Sequence, residues 1–305
     1  MKNQTSEIIE EIKRLKTERH AVILAHNYVR GELQDLADFV GDSLELSIKA
    51  KNAKADVIVF CGVRFMAETA KLLSPHSVVL LPNPNAGCPM ADMALAEKVA
   101  AYKAAHPDTV IVAYVNTTAD VKANVDLCCT SGNAEKIIAS IPEDRKILFL
   151  PDRNLGGNLN RKLGRSMELW PGFCPTHDGV TPEAIRAARA AHPGVKVLVH
   201  PECDPEVTAL ADEALSTGGM MKFVRTSSDR AFVIGTESGI LHRLKHENPG
   251  KEFYPLEPEM ICLNMKKITL ENVRDCLKNL APRIELPPEI MTAAVTPIEK
   301  MLALS

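Results

Sequence analysis

Three sets of polar residues return along this chain at nearly the same intervals. His26, Tyr114 and His200 lie 88 and 86 residues apart, each directly after a short apolar run. Ser43, Ser131 and Thr217 repeat those two intervals, and Cys88, Cys174 and Cys262 follow at 86 and 88. Registers that recur together are the mark of one unit used three times, and a repeat of this kind constrains the fold before any local propensity does.

Within each unit the same order of elements can be read. The apolar runs at 22–25, 110–113 and 195–199 are β-branched and flanked by turn or helix signals, so they read as buried parallel strands. Each follows an Ala-, Lys- and Glu-rich helical stretch that ends near His20, His106 or His192, and Pro107 and Pro193 stop the second and third of these helices. The strands end in His26-Asn27-Tyr28, Tyr114-Val115-Asn116 and His200-Pro201-Glu202. Short helices are expected at 32–37, 119–123 and 205–211. A small strand and a hydroxyl then precede another helix at Gly41-Asp42-Ser43, Cys129-Thr130-Ser131 and Leu215-Ser216-Thr217. Third strands are expected at 57–60, 147–150 and 231–234, and fourth strands at 78–81, 167–170 and 253–256, with a ladder cysteine soon after each. The tail from Ile268 adds one or two helices and a turn at Pro287-Pro288.

The expected fold is therefore α/β: three similar αβα units with parallel sheets around a pseudo-threefold axis and the active site at the centre. The units are taken as 1–86 with 263–305, 87–172, and 173–262. Ligands of open parallel sheets bind beyond the carboxyl ends of the strands. All nine ladder residues are expected at such ends, so they should converge on one cavity.

Composition narrows the class of function. Aromatic residues are 4% of the chain, which leaves no stacking platform for single-stranded nucleic acid, and the basic residues are scattered. No apolar run approaches the roughly 18–20 residues that span a bilayer. The start, Met1 to Glu10, is polar and then amphipathic, without the apolar core of a secretion signal. Eight cysteines in such a chain read as reduced thiols in the cytoplasm, some of them ligands, and not as a disulfide framework.

Three thiolates can hold three irons of a [4Fe–4S] cluster and leave the fourth iron open as a Lewis acid. The competing metal is zinc, held by the same cysteines with His177. Cys61, Cys128, Cys129, Cys203 and Cys276, outside the ladder, read as small buried hydrophobes. Ser43, Ser131 and Thr217 stand where helices begin, so either they cap those helices or they join the free N–H groups in binding an anion. A lone buried histidine is usually structural, but the register shared by His26, Tyr114 and His200 favours a site. Glu202 can act as general acid or base, Tyr28 as proton donor or acceptor, and Asn116 can bind a carboxylate or phosphate. Residues 152–157 read as an ordinary loop, without a phosphate-binding glycine pattern, and 66–71 as a helix face on the sheet. Arg64, Asp152 and Arg153 are left undecided.

Taken in order, His26-Asn27-Tyr28, Gly41-Asp42-Ser43, Met66-Ala67-Glu68-Thr69-Ala70, Gly87-Cys88-Pro89-Met90-Ala91, Tyr114-Val115-Asn116, Cys129-Thr130-Ser131, Pro151 to Gly156 and His200-Pro201-Glu202 resemble the quinolinate synthase family over nearly the whole chain. The resemblance implies condensation of iminoaspartate with dihydroxyacetone phosphate, with loss of phosphate and water, to give quinolinate, a precursor of NAD. It implies a [4Fe–4S] cluster on Cys88, Cys174 and Cys262. It also implies that His26, Ser43, Tyr114, Asn116, Ser131, His200 and Thr217 bind substrate or product, with Tyr28 and Glu202 as the acid–base residues. A functional link to an enzyme that produces iminoaspartate follows from the same resemblance. Some family members carry further cysteines near the third ligand; here Met265 stands three residues after Cys262, so that redox pair is missing. Outside this resemblance, two readings stay open: a non-catalytic zinc-stabilised protein, and a different cluster-bearing hydro-lyase.

Overall fold

A computed structural model describes residues 2–256 and 258–305. Met1 and Glu257, which the sequence reading allots to the first and third units, lie outside the described residues.

The first unit runs α1 (Lys2–Glu18), β1 (Ala21–His26), α2 (Gly31–Leu36), β2 (Phe39–Gly41), α3 (Ser43–Asn52), β3 (Val57–Cys61), α4 (Arg64–Leu73) and β4 (Val78–Leu80). The second runs α5 (Pro89–Asp92), α6 (Ala96–Ala105), β5 (Val110–Tyr114), α7 (Ala119–Lys122), β6 (Leu127–Cys129), α8 (Ala134–Ala139), β7 (Ile147–Leu150), α9 (Arg153–Leu163) and β8 (Glu168–Leu169). The third repeats it as α10 (Pro175–Asp178), α11 (Pro182–Ala191), β9 (Lys196–Val199), α12 (Pro205–Leu210), β10 (Glu213–Ala214), α13 (Thr217–Thr226), β11 (Ala231–Gly235), α14 (Ile240–Glu247) and β12 (Glu252–Pro255). The chain closes with α15 (Leu270–Asn279) and α16 (Pro288–Leu304).

The three sheets share one strand order, β2-β1-β3-β4, β6-β5-β7-β8 and β10-β9-β11-β12, and every pairing is parallel. Parallel sheets need apolar cover on both faces. The inner strands supply it: all five residues of β3 and all four of β7 are buried. The fold is thus three similar α/β units, as the repeat implied.

One polar device holds each sheet at the same register. Asp38, Asp126 and Asp212 each stand just before or beside the second strand. Each accepts the backbone N–H of a central-strand residue at 2.8 Å, from Ile23, Ile111 and Val197 respectively. Their own N–H groups return to the carbonyls of those same residues at 2.9, 3.0 and 2.9 Å. The aspartates lie 88 and 86 residues apart, a further register of the repeat.

One expectation is corrected. Residues 152–157 are not a loop but the start of α9, with Asp152 capping it through the N–H groups of Asn154 and Leu155. Its glycines misled the sequence reading. Gly156 is there because the helix lies close on the sheet: a Cβ would sit 2.5 Å from Leu169 and 2.9 Å from Phe149. The tail also divides. Helix α15 packs on α1 and β3 of the first unit, whereas α16 lies across β6 and α7. The last helix therefore lies against the second unit and not only the unit to which the sequence reading allots it, because Ala294, Ile298 and Met301 bury an apolar stripe there.

Removing the aspartate from one sheet should cost that sheet alone. Asp212→Ala is expected to lower stability by about 1–2 kcal/mol, since it orphans the Val197 N–H and frees Arg189. Chemical denaturation measures this.

Candidate active site

The carboxyl ends of all three sheets reach one cavity of about 330 Å³. Its walls carry every ladder residue, namely His26, Tyr114, His200, Ser43, Ser131, Thr217, Cys88, Cys174 and Cys262, together with Tyr28, Asn116, His177, Glu202 and Glu237. Arg64 is not among them. It is largely exposed and pairs with Glu68 at 2.9 Å. Arg153 faces away as well, bonded to Asp178 at 2.9 Å.

Glu202 is the polar centre. It is 4% exposed, so its carboxylate must be met by donors. Tyr114 donates its O–H to Oε1 at 2.6 Å, and His177 Nδ1 lies 2.8 Å from Oε2. Asn116 Nδ2 stands further off, at 3.5 Å. Burial alone would raise the Glu202 carboxyl, but His200, His177 and the Tyr114 hydroxyl more than offset it and hold the group below the usual carboxylate range. Tyr28 and Tyr114 move the other way. Burial, reinforced by the Glu202 charge, pushes both phenols well above their ordinary value, so they keep their protons.

A chain of hydrogen bonds joins the acid–base candidates across two units. The Tyr28 hydroxyl meets Thr236 Oγ1, Thr236 meets His177 Nε2 at 2.8 Å, and His177 leads on to Glu202. His26 and His200 are fixed alike: Nδ1 of each accepts the N–H of the residue two further on, Tyr28 or Glu202, at 3.2 Å. That bond leaves the neutral-ring proton on Nε2. Burial lowers both imidazoles to about 3.

The hydroxyls resolve by one residue. Helix α3 is capped by Asp42 and α13 by Ser216, so Ser43 and Thr217 are first-turn residues and not caps. Ser131 precedes α8 by three residues and bonds Tyr114 instead. With the capping done by neighbours, the three hydroxyls line the cavity beside the amino ends of two ten-residue helices, which favour an anion. Asn116 adds a buried Oδ1 with no partner, an acceptor for a ligand's N–H or O–H.

All eight cysteines are free thiols. Cys88 and Cys174 precede the proline of a short helical turn, and at least one backbone N–H of the turn that follows favours the thiolate of each ladder cysteine. Burial nevertheless keeps them protonated, pushing Cys88 up to about 12 and raising Cys174 and Cys262 as well. Three such thiols around one space ionise when a cation arrives to be bound. A single ion has a narrower choice: the ligand atoms of Cys174, His177 and Glu202 lie within 4.8 Å of one another. Both nitrogens of His177 are already engaged, however, Nδ1 with Glu202 and Cys174 and Nε2 with Thr236.

Sequence reasoning missed Thr236 and Glu237. Glu237 is fully buried; it accepts the Cys262 N–H at 3.1 Å and pairs with Lys266 at 2.8 Å, while Lys266 also reaches the Tyr28 carbonyl at 2.6 Å. The third cysteine's loop is thereby tied to the first unit. A signal was present: Thr236 and Glu237 directly follow the apolar β11, at a carboxyl end the ladder did not include.

Neutral buried imidazoles set a pH limit. Each resists protonation in the folded chain and not in the unfolded one, so stability should fall as pH drops below 6.5 and continue falling toward 3. By pH 5 the loss is about 2 kcal/mol per histidine. Thermal unfolding of the metal-free protein at several pH values should show this slope, and His26→Asn should flatten it.

Comparison with known proteins agrees with this architecture. The family model described as NadA, quinolinate synthetase A protein, matches residues 10–303. The chain is 55% identical over 300 residues to the quinolinate synthase of Desulforudis audaxviator, covering 98% of this chain and 99% of that one. It is 51% identical over 302 residues to that of Methanoregula boonei (99% and 100%) and 48% identical over 301 residues to that of Geobacter metallireducens (99% of each). Family match, full-length identity and fold agree: the chain is a member of the quinolinate synthase family of enzymes.

Proposed function

We propose that this chain condenses iminoaspartate with dihydroxyacetone phosphate and dehydrates the adduct to quinolinate, releasing phosphate and water. We further propose that Cys88, Cys174 and Cys262 hold a [4Fe–4S] cluster in the central cavity. The observation that carries the reading is convergence: three half-buried thiols, a hydrogen-bonded carboxylate and a row of hydroxyls, contributed by three units, face one space of about 330 Å³. The donor set fits the cluster. All three donors are sulfur, and at least one backbone N–H beside each favours the thiolate. When bound, such a cluster supplies an open iron that polarises a substrate oxygen for loss as water.

The protein's own groups divide the remaining work. Ser43, Ser131 and Thr217, with the amino ends of α3 and α13, bind the carboxylates of the substrates and the phosphate. His26 and His200, neutral and protonated at Nε2, donate to anionic oxygens without adding charge. Asn116 Oδ1 accepts from the imine nitrogen or a hydroxyl. Glu202 is the base: its carboxylate is anionic at neutral pH and removes the protons that enolisation and dehydration release. Tyr28 keeps its proton and donates it, and Thr236 and His177 connect it to Glu202. The hydrophobic wall of Val63, Phe65 and Met66 limits water at one side. Since iminoaspartate hydrolyses readily, an oxidase or dehydrogenase acting on aspartate is the expected supplier. A reduced, cytoplasmic setting suits the free thiols.

A second reading has its own observation. Cys174, His177 and Glu202 place three different ligand atoms close enough for one ion, as a zinc site would need. Metal and sulfide analysis of anaerobically purified protein separates the two: iron with sulfide supports the cluster, and zinc without sulfide supports the ion. Cys174→Ala should remove both the brown chromophore and quinolinate formation; an active, coloured variant would overturn the cluster assignment. Glu202→Gln should retain the chromophore and lose turnover by at least about a hundredfold. Ordinary turnover in that variant would remove Glu202 from the base role.

A further inference from the structure

Each strand-end loop that carries an acting residue is held from behind by one buried nitrogen. Gln34 Nε2 donates to the carbonyls of Asn27 at 3.0 Å and Val29 at 2.9 Å, the two that flank Tyr28, and shares its two protons with the Gly239 carbonyl at 2.9 Å. Lys122 Nζ donates to the carbonyls of Val115, at 2.8 Å, and Thr117, the two that flank Asn116. Asn158 Nδ2 donates to the carbonyls of Pro201 and Cys203, at 2.9 Å each, the two that flank Glu202.

These holders belong to the repeat. Gln34 and Lys122 are 88 residues apart, and 86 residues further on stands Thr208. A hydroxyl carries one proton and cannot bridge two carbonyls, whereas an amide NH2 carries two. Thr208 accordingly gives its proton to Asn158 Oδ1 at 2.6 Å, and Arg161 donates to the same oxygen at 3.1 Å. Those two bonds turn the NH2 of Asn158 toward the loop. Three different side chains thus reach one arrangement, which ordinary helix packing does not demand. The case of Lys122 is the clearest. It is fully buried in a four-residue helix, where an ammonium is costly unless it is used.

We propose that Gln34, Lys122 and the Thr208–Asn158 pair are positioning residues. Each bridges the peptide carbonyls on both sides of one acting residue, and so fixes the backbone from which Tyr28, Asn116 or Glu202 is aimed into the cavity. The effect on turnover rests on the reaction proposed above; the effect on the loops does not.

The test uses anaerobically purified full-length protein carrying Thr208→Val, Lys122→Met or Lys122→Gln. Thr208→Val keeps the shape and removes the proton that orients Asn158. Lys122→Gln supplies the residue that the first unit uses at the same register. Thr208→Val and Lys122→Met should lower kcat by about ten- to hundredfold with little change in KM, as misaimed groups do. Lys122→Gln should recover most of kcat. Hydrogen exchange read by mass spectrometry should rise at the amides of Glu202 and Cys203 for Thr208→Val and in 115–117 for Lys122→Met, and stay unchanged in the other two loops. Wild-type kcat in Thr208→Val and Lys122→Met would overturn the proposal. So would an equal loss in Lys122→Gln and Lys122→Met, or exchange that rises across the whole chain. If Lys122→Met does not fold, Thr208→Val decides alone. If the unaltered protein makes no quinolinate, the reaction assignment fails, and the exchange measurement, which needs no substrate, still decides the clamp.

Discussion

A carboxylate almost out of reach of water has to be neutralised by its surroundings, and Glu202 is met from two units at once. Tyr114 comes from the end of β5 in the second unit, while His177 comes from the third unit, to which Glu202 itself belongs. Tyr114 cannot reach Glu202 unless the second and third units are already in contact, so that part of the charge's pairing exists only in the assembled fold. An unpaired buried charge costs several kcal/mol, and that cost opposes separation of the units. The same residues line the central cavity, so the candidate site and the assembly draw on one set of hydrogen bonds.

The repeat explains how one short sequence pattern builds a three-sided site. In each unit a buried central strand ends in a polar tripeptide, a second strand ends before a hydroxyl, and a fourth strand leads to a cysteine. Aspartates at 38, 126 and 212 keep the first two strands in register, so the polar ends arrive level. The units then diverge where they face each other. The first offers His26 and Tyr28, the second Tyr114 and Asn116, and the third His200 and Glu202. A symmetrical frame thus carries an asymmetrical set of side chains around the cavity.

Much of this was legible in the chain. Strand ends were visible because apolar runs stop abruptly at His26, Tyr114 and His200, and equal spacing linked sites far apart in sequence. What escaped did so for physical reasons. Asp42 and Ser216, rather than Ser43 and Thr217, are the caps, and a shift of one residue separates a capping side chain from a hydroxyl that lines the cavity. Residues 152–157 hid a helix because glycine lowers helix propensity, although here it permits close approach to Phe149 and Leu169. Thr236 and Glu237 lay outside the recurring registers and were passed over. Gln34, Lys122 and Thr208 differ in size and charge, and only their shared bonding partners reveal a common task.

The ladder cysteines also occupy a particular place in the chain's path. Cys88 lies where the first unit gives way to the second, Cys174 where the second gives way to the third, and Cys262 where the third gives way to the tail. A group bound to all three therefore staples the polypeptide at every handover and closes two loops, of 86 and 88 residues. Long loops lose the most disorder when closed, by roughly 4–5 kcal/mol each in the chain-entropy picture of cross-links. A group bound there would serve the molecule as a clasp, and its loss would loosen the joints between units before it disturbed any one of them.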